Sequence, residues 1–144
     1  MNFTRISIAV LLSFALSTAA LAHHQFAAEF DWKKPVTLNG TLTKIEWSTP
    51  HVVLHVNAKD GSGAPVDWTV ELGSPGLLEK KYGWTKTTLK INEMVTVDGW
   101  QAHDNKKLVR AMTVTTPQGR ALFGGSSFFD MANEPQPPKQ QATR

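Results

Sequence analysis

The chain has 144 residues and no cysteine, which excludes disulfide staples and a lipid-modified cysteine. Fifteen Lys and Arg against twelve Asp and Glu leave a formal charge of +3. The lysines (Lys33, Lys44, Lys59, Lys80, Lys81, Lys90, Lys106, Lys107) are interleaved with acids, which excludes the concentrated basic stripe of a nucleic-acid binder.

Residues 1–22, MNFTRISIAVLLSFALSTAALA, predict a secretory signal peptide. Arg5 is the positive start, Ile6 to Leu16 is the apolar run, and Ala20-Leu21-Ala22 is a small-x-small cleavage site. The run is shorter than the roughly 20 apolar residues of a spanning helix. An uncleaved anchor is the alternative. The expectation is a bacterial protein exported to the periplasm or secreted, with no membrane association once the leader is removed. About 120 residues then remain, enough for one compact domain.

Residues 23–35 form a polar and aromatic lead-in segment with Phe26, Phe30 and Trp32, ended by Pro35. From residue 36 the apolar period becomes two, the mark of strands. VTLNGTLTKIEWST (36–49) is the first strand. Its apolar phase slips between Leu42 and Ile45, and Gly40 lies inside it, which predicts a bulge or a sharp coil. HVVLHVNA (51–58) places Val52, Leu54 and Val56 on one face and His51, Val53, His55 and Asn57 on the other. KDGSGAP (59–65) is a turn, and VDWTVEL (66–72) completes a three-stranded meander.

GSPGLLEKKYG carries the helix signal: Ser74 as N-cap, Pro75 in the first turn, Gly83 just past the end. So short a helix needs Leu77, Leu78 and Tyr82 docked on the sheet. MVTVDGWQAH (94–103) is strand four with Gly99 a second bulge candidate, HDNK (103–106) a turn, and KLVRAMTVTT (107–116) strand five. PQGRALF (117–123) offers a short edge piece, and residues 124–144, rich in Pro and Gln, a disordered tail. The expected class is all-β with one short helix: a five-stranded OB-like barrel over residues 36–123, in the order β-β-β-α-β-β. Closure follows because five half-buried strands otherwise leave two open edges. An open two-sheet sandwich of the same strands is the alternative.

The strings AHHQFAAEFD, NGTLTKIEWSTPHV, VELGSPGLLEKKYGWT, VTVDGWQAHD and PQGRALFGGSS together resemble a family of small exported bacterial proteins whose domain has no assigned function. The resemblance covers residues 22–127. In that family the turn before the second strand commonly reads Asn-Pro-His; here it is Thr49-Pro50-His51. The resemblance implies a small, exported, β-rich protein and supplies no activity, catalytic residue or cofactor. The element order is also similar to that of periplasmic OB-fold proteins, some of which bind small cations or other ligands.

Chemistry concentrates in five histidines: His23, His24, His51, His55 and His103. Cleavage after Ala22 gives His23 a free α-amino group beside its imidazole. Amine and ring nitrogen together chelate one metal, and a third nitrogen from another histidine completes a tetragonal site suited to copper. His51 and His55 lie about 13 Å apart along one strand face, at about 3.3 Å per residue, so they do not share an ion by themselves. Either of them, or His103, is a candidate third ligand. In the plain structural alternative His23 and His24 are only a polar start, His51 caps a turn and His55 is a solvent-facing strand residue.

Among five tryptophans, Trp47, Trp68 and Trp84 read as core, while Trp32 and Trp100 are the candidate ligand-binding pair for a stacking platform. Glu46, Asp67, Glu71 and Asp98 fall on outward strand positions, and no catalytic residue is assigned. The functional expectation is a non-enzymatic exported module that binds a small ligand or a metal ion, copper in its sharpest form. Its rival is a structural or interaction protein of the cell envelope that contacts a protein or glycan partner. A copper oxidoreductase is a third reading.

Overall fold

A computed structural model describes residues 28–125. The leader, His23, His24 and the expected tail beyond Gly125 lie outside the described residues. Six strands and one α-helix follow in chain order: β1 (Phe30–Trp47), β2 (Val52–Lys59), β3 (Pro65–Glu71), α1 (Pro75–Tyr82), β4 (Met94–Ala102), β5 (Leu108–Thr115) and β6 (Ala121–Phe123). A 3-10 turn, His103–Asn105, joins β4 to β5. The strands lie in the order β3-β2-β1-β4-β5-β6, antiparallel throughout, with one further pairing, parallel, between β3 and β5. Five strands were expected. The sixth is the edge piece after Gly119, which pairs Ala121 to Phe123 with Thr113 to Thr115.

β1 organises the sheet. Its first half pairs with β4 and its second half with β2, while Gly40 and Thr41 pair with both. A Cβ on Gly40 would stand 2.4 Å from the Asn57 carbonyl oxygen, so only glycine fits between two neighbours this close. The phase slip expected in this strand occurs at Thr43, where the β2 register jumps between Leu42 and Lys44. It turns the inward set from Leu38 and Leu42 to Ile45 and Trp47. β1 also starts six residues earlier than expected, at Phe30 rather than Val36. The charged Asp31-Trp32-Lys33-Lys34 run and Pro35 hide this, because they break the alternation without ending the strand.

The main core gathers Leu38, Leu42, Val52, Leu54, Val56, Val70, Val97, Val109 and Val114 from five strands. Each fully buried aliphatic of this kind contributes about 1.5–3 kcal/mol relative to exposure. β4 carries the second expected bulge, between Asp98 and Gly99, and its buried positions change from Val95 and Val97 to Trp100 and Ala102. Those two residues join Phe30 in a separate small cluster, flanked by Leu108 and Met112.

α1 forms as its caps require. Ser74 Oγ accepts from the Leu77 amide at 3.4 Å, and Gly83 takes the left-handed conformation at φ 68°. Leu78 is fully buried, the Tyr82 ring meets Phe123 edge-on at 4.6 Å, and Trp84 Nε1 donates to the Phe123 carbonyl at 2.8 Å. The helix is therefore tied to β6. Among the described residues no helix is long and apolar enough to cross a membrane.

Candidate functional site

The alternation of β2 buries Val52, Leu54 and Val56 and leaves Val53, His55 and Asn57 on the other face. β3 sets Glu71 opposite Val53, and the parallel contact sets Arg110 of β5 opposite Glu71. Three polar side chains thus meet from three places in the chain. His51 Nδ1 lies 2.8 Å from Glu71 Oε1. The same oxygen accepts a short hydrogen bond from Arg110 Nη1, which also donates to the Leu72 carbonyl at 3.1 Å. The Arg110 side chain is only 11% exposed, whereas that of His51 is 40% exposed. The arrangement is a buried cation, a carboxylate and an imidazole that reaches the surface. His51 follows a cis Thr49–Pro50 peptide.

Burial pushes the His51 pKa below its ordinary value, Glu71 pulls it up, Arg110 pushes it down again, and Glu29 pulls it up; the net direction is down. The ring is therefore neutral at pH 7. The Glu71 oxygen that accepts from Arg110 also faces the ring, so the neutral ring donates its Nδ1–H to it and keeps its lone pair on Nε2. A carboxylate that holds one imidazole nitrogen fixes the tautomer and orients the other nitrogen as a ligand.

His55 belongs to a different group. Its Nε2 lies 2.6 Å from Glu46 Oε1, and Lys44 Nζ donates to the same oxygen at 2.9 Å. Hydrogen bonds from Lys44 and then His55 hold the Glu46 carboxyl below its usual pKa. The contacts put this group against β1, through Glu46 and Lys44, and His51 against β3, through Glu71. His103 opens the 3-10 turn, directly after the Ala102 that pairs with Phe30. Residue 29 and His103 are thus adjacent across that pair, and Glu29 also acts on His51. The chain that carries His23 and His24 leads into β1 at this place. Among the described residues no three His, Asp or Glu side chains come together as a metal cluster.

The two tryptophans singled out from the sequence part company. Trp32 is 41% exposed, but Trp100 is 1% exposed and packed with Phe30 and Ala102. Trp100 is therefore a core residue and presents no ring to a ligand. The bulge at Gly99 reverses its parity, which a straight alternation through β4 conceals. Trp68 and Trp84 are buried as expected; Trp47 is partly buried, and its Nε1 donates to Glu79 at 3.1 Å. The expected outward acids are all engaged: Asp67 with Asn57, Asp98 with Thr37 and Thr113. Arg110 was not singled out at all. Its role depends on the β3–β5 pairing, which leaves no local signature in either strand.

A shallow depression between Ile45, Trp47, Trp84 and Leu89 has no room inside it for a water molecule.

No curated protein and no solved structure matches the chain. A family model does, over residues 10–110, and through it the chain belongs to the family of unknown function DUF6152.

Proposed function

We propose that the chain is an exported module that binds copper on the outside of a closed OB-like barrel. The barrel reading rests on the circuit of pairings β1–β2–β3–β5–β4–β1, in which the parallel β3–β5 contact returns the sheet on itself. The export reading rests on the leader at residues 1–22, and the destination is the periplasm or the medium.

One observation carries the copper reading: His51, kept neutral chiefly by its burial, is oriented by a Glu71 that Arg110 locks in place. His51 Nε2 supplies one ligand. The α-amine and imidazole of His23 supply the others once the leader is removed, and His24 stands beside them. Five residues separate His23 from Glu29, whose charge already acts on His51. The nitrogen-rich donor set suits Cu(II). Binding displaces the amine proton, so affinity rises with pH through the amine range of about 7.7–8.0.

The test is the native protein taken from its exported compartment, with its first residue, its metal content and its copper affinity measured together. The expected result is a chain that begins at His23 and loses most of its copper affinity when the amine is acetylated or when His23→Ala is introduced. Unchanged affinity in both would leave an envelope interaction protein as the better reading.

A further inference from the structure

β1 and β4 pair at Phe30 with Ala102 and again at Pro35 with Trp100. Four residues of β1, Asp31 to Lys34, therefore stand against the single residue Gln101 of β4. The surplus chain has to bow out of the sheet. Its own contacts give it a shape. Asp31 accepts from the Lys33 amide at 3.0 Å and lies 3.9 Å from Lys34 Nζ, and Lys34 Nζ donates to Asn105 Oδ1 at 3.3 Å in the neighbouring 3-10 turn. On this bow sits Trp32, 41% exposed, with Lys33 Nζ at 5.1 Å from its ring centroid. Lys106, at the end of the 3-10 turn, is exposed as well, as is Asp104 within it.

Nothing in the packing requires a tryptophan here. Leaving its ring in water forgoes the burial that the other large aromatics of the sheet obtain. A bilayer is a poor occupant, because inserting the ring would drag Asp31, Lys33, Lys34 and Asn105 toward hydrocarbon. A sugar is a good one: the C–H face of a pyranose lies flat on an aromatic ring while its polar rim stays in water. Lys33 beside the ring adds a preference for negative charge on that rim. Asp31 offsets Lys34, and Asp104 lies in the adjoining turn, so the positive charge left over is that of Lys33 and Lys106.

We propose that the Asp31–Lys34 bow, with Lys106, is a binding site for an acidic glycan, an oligosaccharide that stacks on Trp32 and pairs its carboxylates with Lys33 and Lys106. The site shares no side chain with the His51–Glu71–Arg110 group and stands or falls independently of copper.

The test is calorimetric titration of the metal-free protein with an oligogalacturonate and, in parallel, a neutral oligosaccharide of the same length. The expected result is saturable binding of the uronate only, weakened by added salt. Trp32→Ala and the double variant Lys33→Glu/Lys106→Glu should each weaken it by about tenfold or more, a change of about 1.4 kcal/mol, with thermal unfolding unaltered. Three results would overturn the proposal: no uronate binding at low salt, binding that neither variant weakens, or a preference for phosphatidylglycerol vesicles that both variants abolish.

Discussion

One oxygen of Glu71 serves both His51 and Arg110, and that sharing decides how the imidazole is oriented. Arg110 is the deeper member, and removing it leaves a half-buried carboxylate with one weak partner. Arg110→Met should lower stability by about 3 kcal/mol in urea unfolding, in the range for breaking a buried pair. It should also raise the His51 pKa, because the guanidinium charge that disfavours imidazolium is gone while Glu71 and Glu29 still favour it. An NMR titration of the His51 ring reads this directly, and an unchanged or lower pKa would mean that Arg110 does not govern the site. Asp60 offers a second residue-scale check. Its carboxylate accepts from the Ser62 hydroxyl and amide and from the Ala64 amide, and these bonds hold its pKa below 3.8. A carboxyl depressed on folding stabilises above its unfolded pKa and loses that contribution as pH falls through the folded value. The stability gap between wild type and Asp60→Ala should therefore be present at neutral pH and narrow near pH 2, to about the difference left by the neutral side chains.

The elements depend on two bulges, and both were legible in the sequence. The Leu42–Ile45 phase slip marks the irregularity in β1, and Gly99 marks the one in β4. What was not legible is what each bulge does to the residues beyond it. Straight alternation through Gly99 would face Trp100 outward, and the bulge turns it inward to pack with Phe30. The bow at Asp31–Lys34 is hidden for the opposite reason, since four polar or exposed residues before a proline look like the absence of a strand. Gly99 can be tested alone. A Cβ there would lie 2.1 Å from the Arg110 carbonyl oxygen, and a backbone atom cannot step aside as a side-chain tip can. Gly99→Ala should cost about 2 kcal/mol or more and shift the β4–β5 register next to Arg110. A thermal unfolding curve that matches wild type would contradict the close approach.

At the scale of the molecule, strand alternation revealed the β-rich class and most of the core, and the Ser74 and Gly83 caps revealed α1. Less of the candidate site was legible. The histidines stood out by residue type, but their partners come from pairings remote in sequence: Glu71 through β2–β3, Arg110 through the parallel β3–β5 contact. Single strands carry no record of which distant strand lies beside them. In the proposed copper site His51, and not His55, is the ligand offered to the start of the processed chain. Copper titrations of the processed protein carrying His51→Ala and, separately, His55→Ala separate the two. The expected result is a loss of about a hundredfold in affinity for the first, at the upper end of what disturbing a metal site's support alone costs, and little change for the second. Equal affinities in the two variants, or a loss confined to His55→Ala, would contradict it.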